Sequence, residues 1–207
     1  MRPIGSRTLS RVHWDRLFED LEGQLAAEWE AERAVLDAES ERLRISKLTL
    51  RDRLNVLHRS GAPVVVHLAE GDRVSGRLAA VGADWIAVHS RDTAGALIVP
   101  VGALSGIETH HGAILETLED VEAPHDALRS RMTLGFLLRD FARRRVAVHL
   151  ALGGGERVHG TIDRAGEDHL DLAVHDAGES RLASAVRSFR IVPLTAVRWV
   201  RTTAATV

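Results

Sequence analysis

The sequence predicts an α+β chain, mainly β: a long N-terminal helix followed by two tandem small β-barrels, each preceded by a short helix. Three observations lead there. Apolar residues recur at helical steps over residues 13–45. From residue 46 a pattern of short helix, valine-rich strand, turn and glycine-bent strand is written twice, 84 residues apart. Each copy then closes on Ile-Val-Pro and a short strand-turn-strand.

The first element is the helix. Trp14, Phe18, Leu21, Leu25, Trp29, Leu36 and Leu43 form one apolar stripe on a segment rich in Ala, Glu, Leu and Arg, all good helix formers. About 30 such residues make a rod roughly 45 Å long. The stripe needs cover, from a second copy of the helix or from the body of the chain. Gly23 is its weak point, costing about 1 kcal/mol relative to Ala.

Each repeated unit follows the same plan. Leu50, Leu54 and Leu57 lead into Val64, Val66 and Leu68; Leu134, Leu137, Leu138 and Phe141 lead into Val146, Val148 and Leu150. The alternation gives a strand with one inward face. Gly76 and Gly160 mark a bend in the second strand, and Gly82 and Gly166 are expected to open the next turn with positive φ. Ile86 and Val88, or Leu170, Leu172 and Val174, make a third strand. Ile98-Val99-Pro100 and Ile191-Val192-Pro193 begin the closing strands, now 93 residues apart because copy two carries a nine-residue insertion near 181–190. Insertions confined to connections fit a duplicated unit. The expected organisation is a helix at 1–45, a first barrel at 46–110, a linker at 111–128 and a second barrel at 129–207.

Those motifs resemble the Sm/Sm-like fold of the Hfq type. The shared order is Val64-Val-Val-His-Leu68, Gly71, Val74-x-Gly76-x-Leu78-x-x-Val81, then Pro100 to Ile107. The resemblance covers 46–109 and 131–202 and implies two small barrels. It does not carry the family's RNA site: Gly82 and Gly166 stand where an Asp is usual, Ile86 and Leu170 fall near a usual Asn, and Val101-Gly102 and Leu194-Thr195 replace the basic pair.

Composition narrows the chemistry. There is no cysteine, which removes disulfides, thiolate metal sites and a Cys nucleophile. Lys47 is the only lysine among 27 basic residues, a usage that fits a GC-rich bacterial genome. Net charge is −2, divided between an acidic front and a basic back. Residues 13–45 hold ten acids against four arginines, and residues 129–207 hold 13 arginines against eight acids. Neither a signal peptide nor a membrane span is legible, so a cytoplasmic protein without membrane attachment is expected.

No enzyme motif survives. Gly102-Ala-Leu-Ser-Gly106 lacks nucleophile-elbow spacing, and Gly153-Gly154-Gly155 lacks the Lys-Ser/Thr of a phosphate loop. His110, His111 and His125 are read as surface or linker residues and His67 and His149 as outward strand residues, so no metal, cofactor or catalytic residue is assigned. Arg139, Arg143, Arg144 and Arg145, with Arg129 and Arg131 nearby, are nucleic-acid candidates, although cations at a helix C-terminus also complement the helix dipole. Phe136 and Phe141 are assigned to packing. Trp85 is expected to point outward, with His169 in its place in copy two, marking an interface on the first unit. The expected function is a non-enzymatic interaction or scaffold protein that homo-oligomerises or docks a protein partner through Trp14, Phe18, Leu21, Leu25, Trp29 and Trp85. A nucleic-acid-binding regulator is the alternative.

Overall fold

In the computed structural model, residues 7–69, 71–90, 95–119, 131–178 and 182–202 are described, with side chains from residue 18 onward. The chain divides into two units, residues 1–48 and 49–207.

The first unit is one 40-residue helix, α1 (Arg7–Ser46), longer at its start than the sequence pattern suggested. Its surface pairing is local: Arg44 forks onto Glu41 at 2.6 and 2.7 Å, and Arg42 lies 3.6 Å from Glu39. The Arg44 guanidinium holds the Glu41 carboxyl below its usual range.

The second unit opens with α2 (Leu50–Ser60). Thr49 and Asp52 form a reciprocal cap: the Asp52 amide donates to Thr49 Oγ1 at 3.2 Å, and the Thr49 amide donates to Asp52 Oδ2 at 3.0 Å. Gly61, at φ 62°, ends the helix in the left-handed conformation. Then come β1 (Pro63–Leu68), β2 (Arg73–Val81), β3 (Trp85–His89), β4 (Ala96–Pro100) and β5 (Leu104–Glu108). Helix α3 (His111–Glu116) takes up the first residues of the expected linker; His110 Nδ1 accepts the Ala113 amide at 3.1 Å, and Arg53 Nε donates to Thr117 Oγ1 at 2.9 Å. Helix α4 (Leu134–Arg144) is capped by Thr133 and closes on Arg145, a non-glycine residue at φ 54°. Strands β6 (Ala147–Leu152), β7 (Arg157–Ala165), β8 (His169–Val174), β9 (Ser188–Pro193) and β10 (Val197–Thr202) complete the chain.

The expectation of two separate small barrels is overturned. All ten strands form one antiparallel sheet that does not close, in the order β5-β1-β2-β3-β4-β10-β6-β7-β8-β9. The reason is a joint between β4 and β10, which pair antiparallel with Val200 opposite Ile98 and Arg201 opposite Leu97. Hydrogen bonding therefore runs across the boundary where a barrel wall was expected to end. Residues 63–108 contribute the order β5-β1-β2-β3-β4 and residues 147–202 the order β10-β6-β7-β8-β9, so corresponding strands follow one plan.

The cores interlock across the same boundary. One buried cluster gathers α4 and the inner residues of β6–β10 but also holds Ala80, Trp85, Ala87 and Ile98 from the first half. The other gathers Leu54, Val64, Val66, Ile86 and Val88 and holds Ala151 and Trp199 from the second. Both faces of β3 and β4 are thus covered.

The bend glycines are required by close approach. A Cβ on Gly76 would stand 2.2 Å from the His89 carbonyl oxygen, and one on Gly160 2.3 Å from that of Ala173. Gly82 and Gly166 do not have the expected positive φ; they leave room for a ring, since a Cβ on Gly82 would lie 2.3 Å from Trp85 Nε1 and one on Gly166 2.6 Å from His169 Cε1.

Candidate interaction surfaces

On α1 the apolar stripe is exposed along its described length. Phe18, Leu21, Leu25, Val35, Leu36 and Leu43 all face solvent, and Trp29 is 75% exposed. Trp14 lies where side chains are outside the described residues. An exposed stripe of this kind on a long helix is where association gains most, each buried Leu or Phe contributing about 1.5–3 kcal/mol.

Trp85 differs from its expectation. It is buried, and its indole Nε1 donates to the Met132 carbonyl at 2.9 Å. The neighbouring Asp84 Oδ1 accepts the Leu134 amide at 2.7 Å, tying the start of α4 to the end of the β2–β3 turn. Trp85 is therefore an interface residue inside the chain, holding the two halves together. Its counterpart His169 is exposed and pairs with Asp168 at 2.8 Å. That hydrogen bond raises the imidazole pKa above its ordinary value and lowers that of the carboxyl.

The arginine group is assembled on and after α4, but carboxylates sit among it. Arg143 Nη2 lies 2.5 Å from Asp140 Oδ1, Arg144 Nη1 3.4 Å from Asp140 Oδ2, and Arg145 Nη1 2.7 Å from Asp163 Oδ1. Arg139 Nη1 donates to the Gly166 carbonyl at 3.1 Å. The arginine side chains of these ion pairs are 40–79% exposed, so the pairs are weak and exchangeable. Phe141 packs in the core as expected, but Phe136 is 53% exposed. With Arg139 and Arg143 three and seven residues on, it shares their helix face. Arg131 is exposed; Arg129 lies outside the described residues.

A histidine cluster was not anticipated. The rings of His149 and His159 are 4.4 Å apart, and those of His159 and His175 4.9 Å. His175 is buried, with Nδ1 3.0 Å from the Asp176 carbonyl and Nε2 2.9 Å from Thr161 Oγ1. Since a carbonyl only accepts, Nδ1 carries a proton. Burial, then the neighbouring His159 and Arg201, push the His149 pKa down. Beside the cluster, the guanidiniums of Arg201 and Arg157 lie 5.1 and 5.8 Å from the Trp199 ring centre. Sequence spacing gave no hint of it, because the three histidines come from three different strand positions in β6, β7 and the residue after β8.

His110 caps α3 through its own Nδ1, and His67 Nε2 lies 3.1 Å from Glu108 Oε2. His125 is outside the described residues. Among the described residues, no group of three or more His, Cys, Asp or Glu is placed to hold a metal ion. A cleft of about 790 Å³ opens beside β1, β2 and β5, lined by Val65, Ser75, Arg77, His89 and Glu108. Two of its charged groups are already engaged, Arg77 with the Gly61 carbonyl and Glu108 with His67. Among the described residues, no helix is long and apolar enough to cross a membrane.

No family model, curated protein or solved structure matches the chain. The Sm-like resemblance therefore rests on the residues quoted for it.

Proposed function

We propose that this chain is a non-enzymatic cytoplasmic scaffold that self-associates or docks a protein partner through α1, which is followed in the chain by two copies of one helix-and-strand unit. The observation that carries the reading is the exposed stripe from Phe18 to Leu43 on a 40-residue helix. The duplication is supported by the 84- and 93-residue offsets and by the shared strand order of the halves. Light scattering on the full chain and on Leu25→Glu/Trp29→Glu is the test. A lower mass, or loss of a co-purifying protein, is expected for the variant; identical masses and partners for both chains would overturn the reading.

A second reading, a nucleic-acid-binding regulator, is favoured by Phe136 on the face of α4 that carries Arg139 and Arg143. Phosphate contacts make such binding fall steeply with salt. Gel shifts at rising salt with Arg143, Arg144 and Arg145 changed to Ala decide it: absence of binding at low salt, or indifference to the substitutions, removes this reading.

A further inference from the structure

The apolar stripe of α1 has a spacing that reads the same in both directions. Positions 18, 21, 25, 29, 32, 36, 40 and 43 follow one another at steps of 3, 4, 4, 3, 4, 4 and 3 residues. That is an 11-residue repeat, about 3.67 residues per turn against about 3.6 in an unstrained helix. The stripe therefore runs almost straight along the rod instead of winding as heptads do. Six of the eight positions carry the exposed side chains of Phe18, Leu21, Leu25, Trp29, Leu36 and Leu43, and Glu32 and Ser40 hold the other two. We infer that α1 lies against α1 of a second copy of this chain as an antiparallel two-fold pair, centred between Glu30 and Ala31. The inference rests on the α1 reading above and narrows the occupant of that surface to the chain itself.

A two-fold contact requires a surface that is complementary to itself. Turned end for end about that centre, every stripe position lands on another stripe position. Phe18 meets Leu43 and Leu25 meets Leu36, each pair formed twice, along a seam of about 38 Å. Neither polar position meets its own copy. Ser40 falls opposite Leu21, and Glu32 falls opposite Trp29, whose indole N–H is a hydrogen-bond donor. A parallel pair in register instead puts Glu32 beside Glu32 in the seam. Two carboxylates sharing one partly dried site is the costlier arrangement.

Charge along the helix points the same way. From Glu19 to Glu41 there are nine acids and one arginine, Arg33, whereas Arg42 and Arg44 close the helix. By helical period Glu19, Glu30, Arg33 and Arg44 share one flank of the stripe. In an antiparallel pair each flank meets the same flank of the other copy. Arg44 then faces Glu19 and Arg33 faces Glu30 of the second copy, opposite-charge pairs that the two-fold repeats. Arg44 is already forked onto Glu41 of its own helix, so it joins the two helices in one charge network. Exposed pairs of this kind set partner and direction more than they add stability.

The experiment uses full chains and exchanges charge at positions on α1 alone, with circular-dichroism melts to check that every variant folds. Sedimentation velocity at low salt is run on the wild type, on Arg33→Glu/Arg44→Glu, on Glu19→Arg/Glu30→Arg, and on an equimolar mixture of the two variants. A dimer is expected for the wild type, and a dissociation constant raised at least about tenfold for each variant alone. The mixture returns to the wild-type value, because every pair is restored with its signs exchanged. Direction is read separately by cross-linking, since the chain has no cysteine of its own. Leu25→Cys and Leu36→Cys chains form a disulfide when mixed under mild oxidation, and neither does so alone. Like positions in the antiparallel pair stand 11 residues apart, about 16 Å, well beyond the roughly 7 Å between Cα atoms that a disulfide spans. Cross-linking of either chain by itself overturns the inference, and so does a mixture of charge variants as weak as its components. A monomeric wild type from which Leu25→Glu/Trp29→Glu releases a co-purifying protein overturns the inference and leaves the α1 reading standing. Masses and partners unchanged by Leu25→Glu/Trp29→Glu overturn both.

Discussion

At the scale of single residues, most of the informative positions are those where one half of the chain departs from the other. Trp85 and His169 occupy one register position, yet one is sealed against the Met132 carbonyl and the other is open to water. Replacing Trp85 by Ala removes a buried ring and leaves a cavity, so a loss of about 3–5 kcal/mol is expected in urea unfolding. Gly82→Ala attacks the same contact from the other side and should cost about 1–3 kcal/mol, since the added methyl meets the indole. Gly61→Ala places a Cβ at φ 62° and should cost about 1 kcal/mol in the same assay. Two histidines set opposite pH trends. The folded-state pKa of His149 is depressed, so its neutral form favours the fold, and stability falls as pH drops below about 6.5, the unfolded value. The pKa of His169 is raised, so its contribution is full below that pH and lost above it. Melting temperatures across that range should therefore fall less on acidification for His149→Asn than for the wild type, and fall more for His169→Asn.

Among elements, the helices and strands were legible and the partners of β3 and β4 were not. The alternation Val64, Val66, Leu68 places β1 correctly, with those three side chains buried. The same rule applied to β3 sends Trp85 to solvent, because alternation assumes that one face of a strand is wet. That assumption fails where a second layer covers the outer face, and the sequence does carry the signal: Trp-Ile-Ala-Val and Ala-Leu-Ile-Val are continuous apolar runs, the mark of strands buried on both faces. The counterpart His-Leu-Asp-Leu alternates, with Leu170 and Leu172 on the covered face of β8, whereas in β9 Phe189 and Ile191 are exposed and Val192 alone is buried. The apolar stripe of α1 was legible too, since helical periodicity needs no knowledge of tertiary contacts; its exposure was not, because cover by the body of the chain would leave the same pattern. The histidine cluster was not, because its members are brought together by strand register alone.

For the whole molecule, the interlocked cores make a statement about cooperativity. Trp85 belongs to the first half but packs in the cluster built around α4 and the strands of the second, and Trp199 does the reverse. Unfolding of residues 49–207 should therefore occur in one transition, with Trp85→Phe and Trp199→Phe chains giving coincident denaturation midpoints by fluorescence and circular dichroism once each is corrected for its own stability change. Midpoints that differ between probes within one variant would show the halves coming apart separately. An open sheet also explains why barrel geometry could not be read from the units one at a time: closure depends on which strand an edge meets, and for β4 that strand arrives about a hundred residues later.

That delay has a cost in time as well as in topology. During synthesis β4 is complete long before β10 exists, and at roughly 5–20 residues per second the gap lasts about 5–20 s. Throughout it, Ala96 to Val99, paired with β3 on one side only, present an open strand edge that is apolar on both faces, the kind of edge on which nascent chains aggregate. The first half of the chain must wait, adhesive and unpartnered, for the strand that completes it.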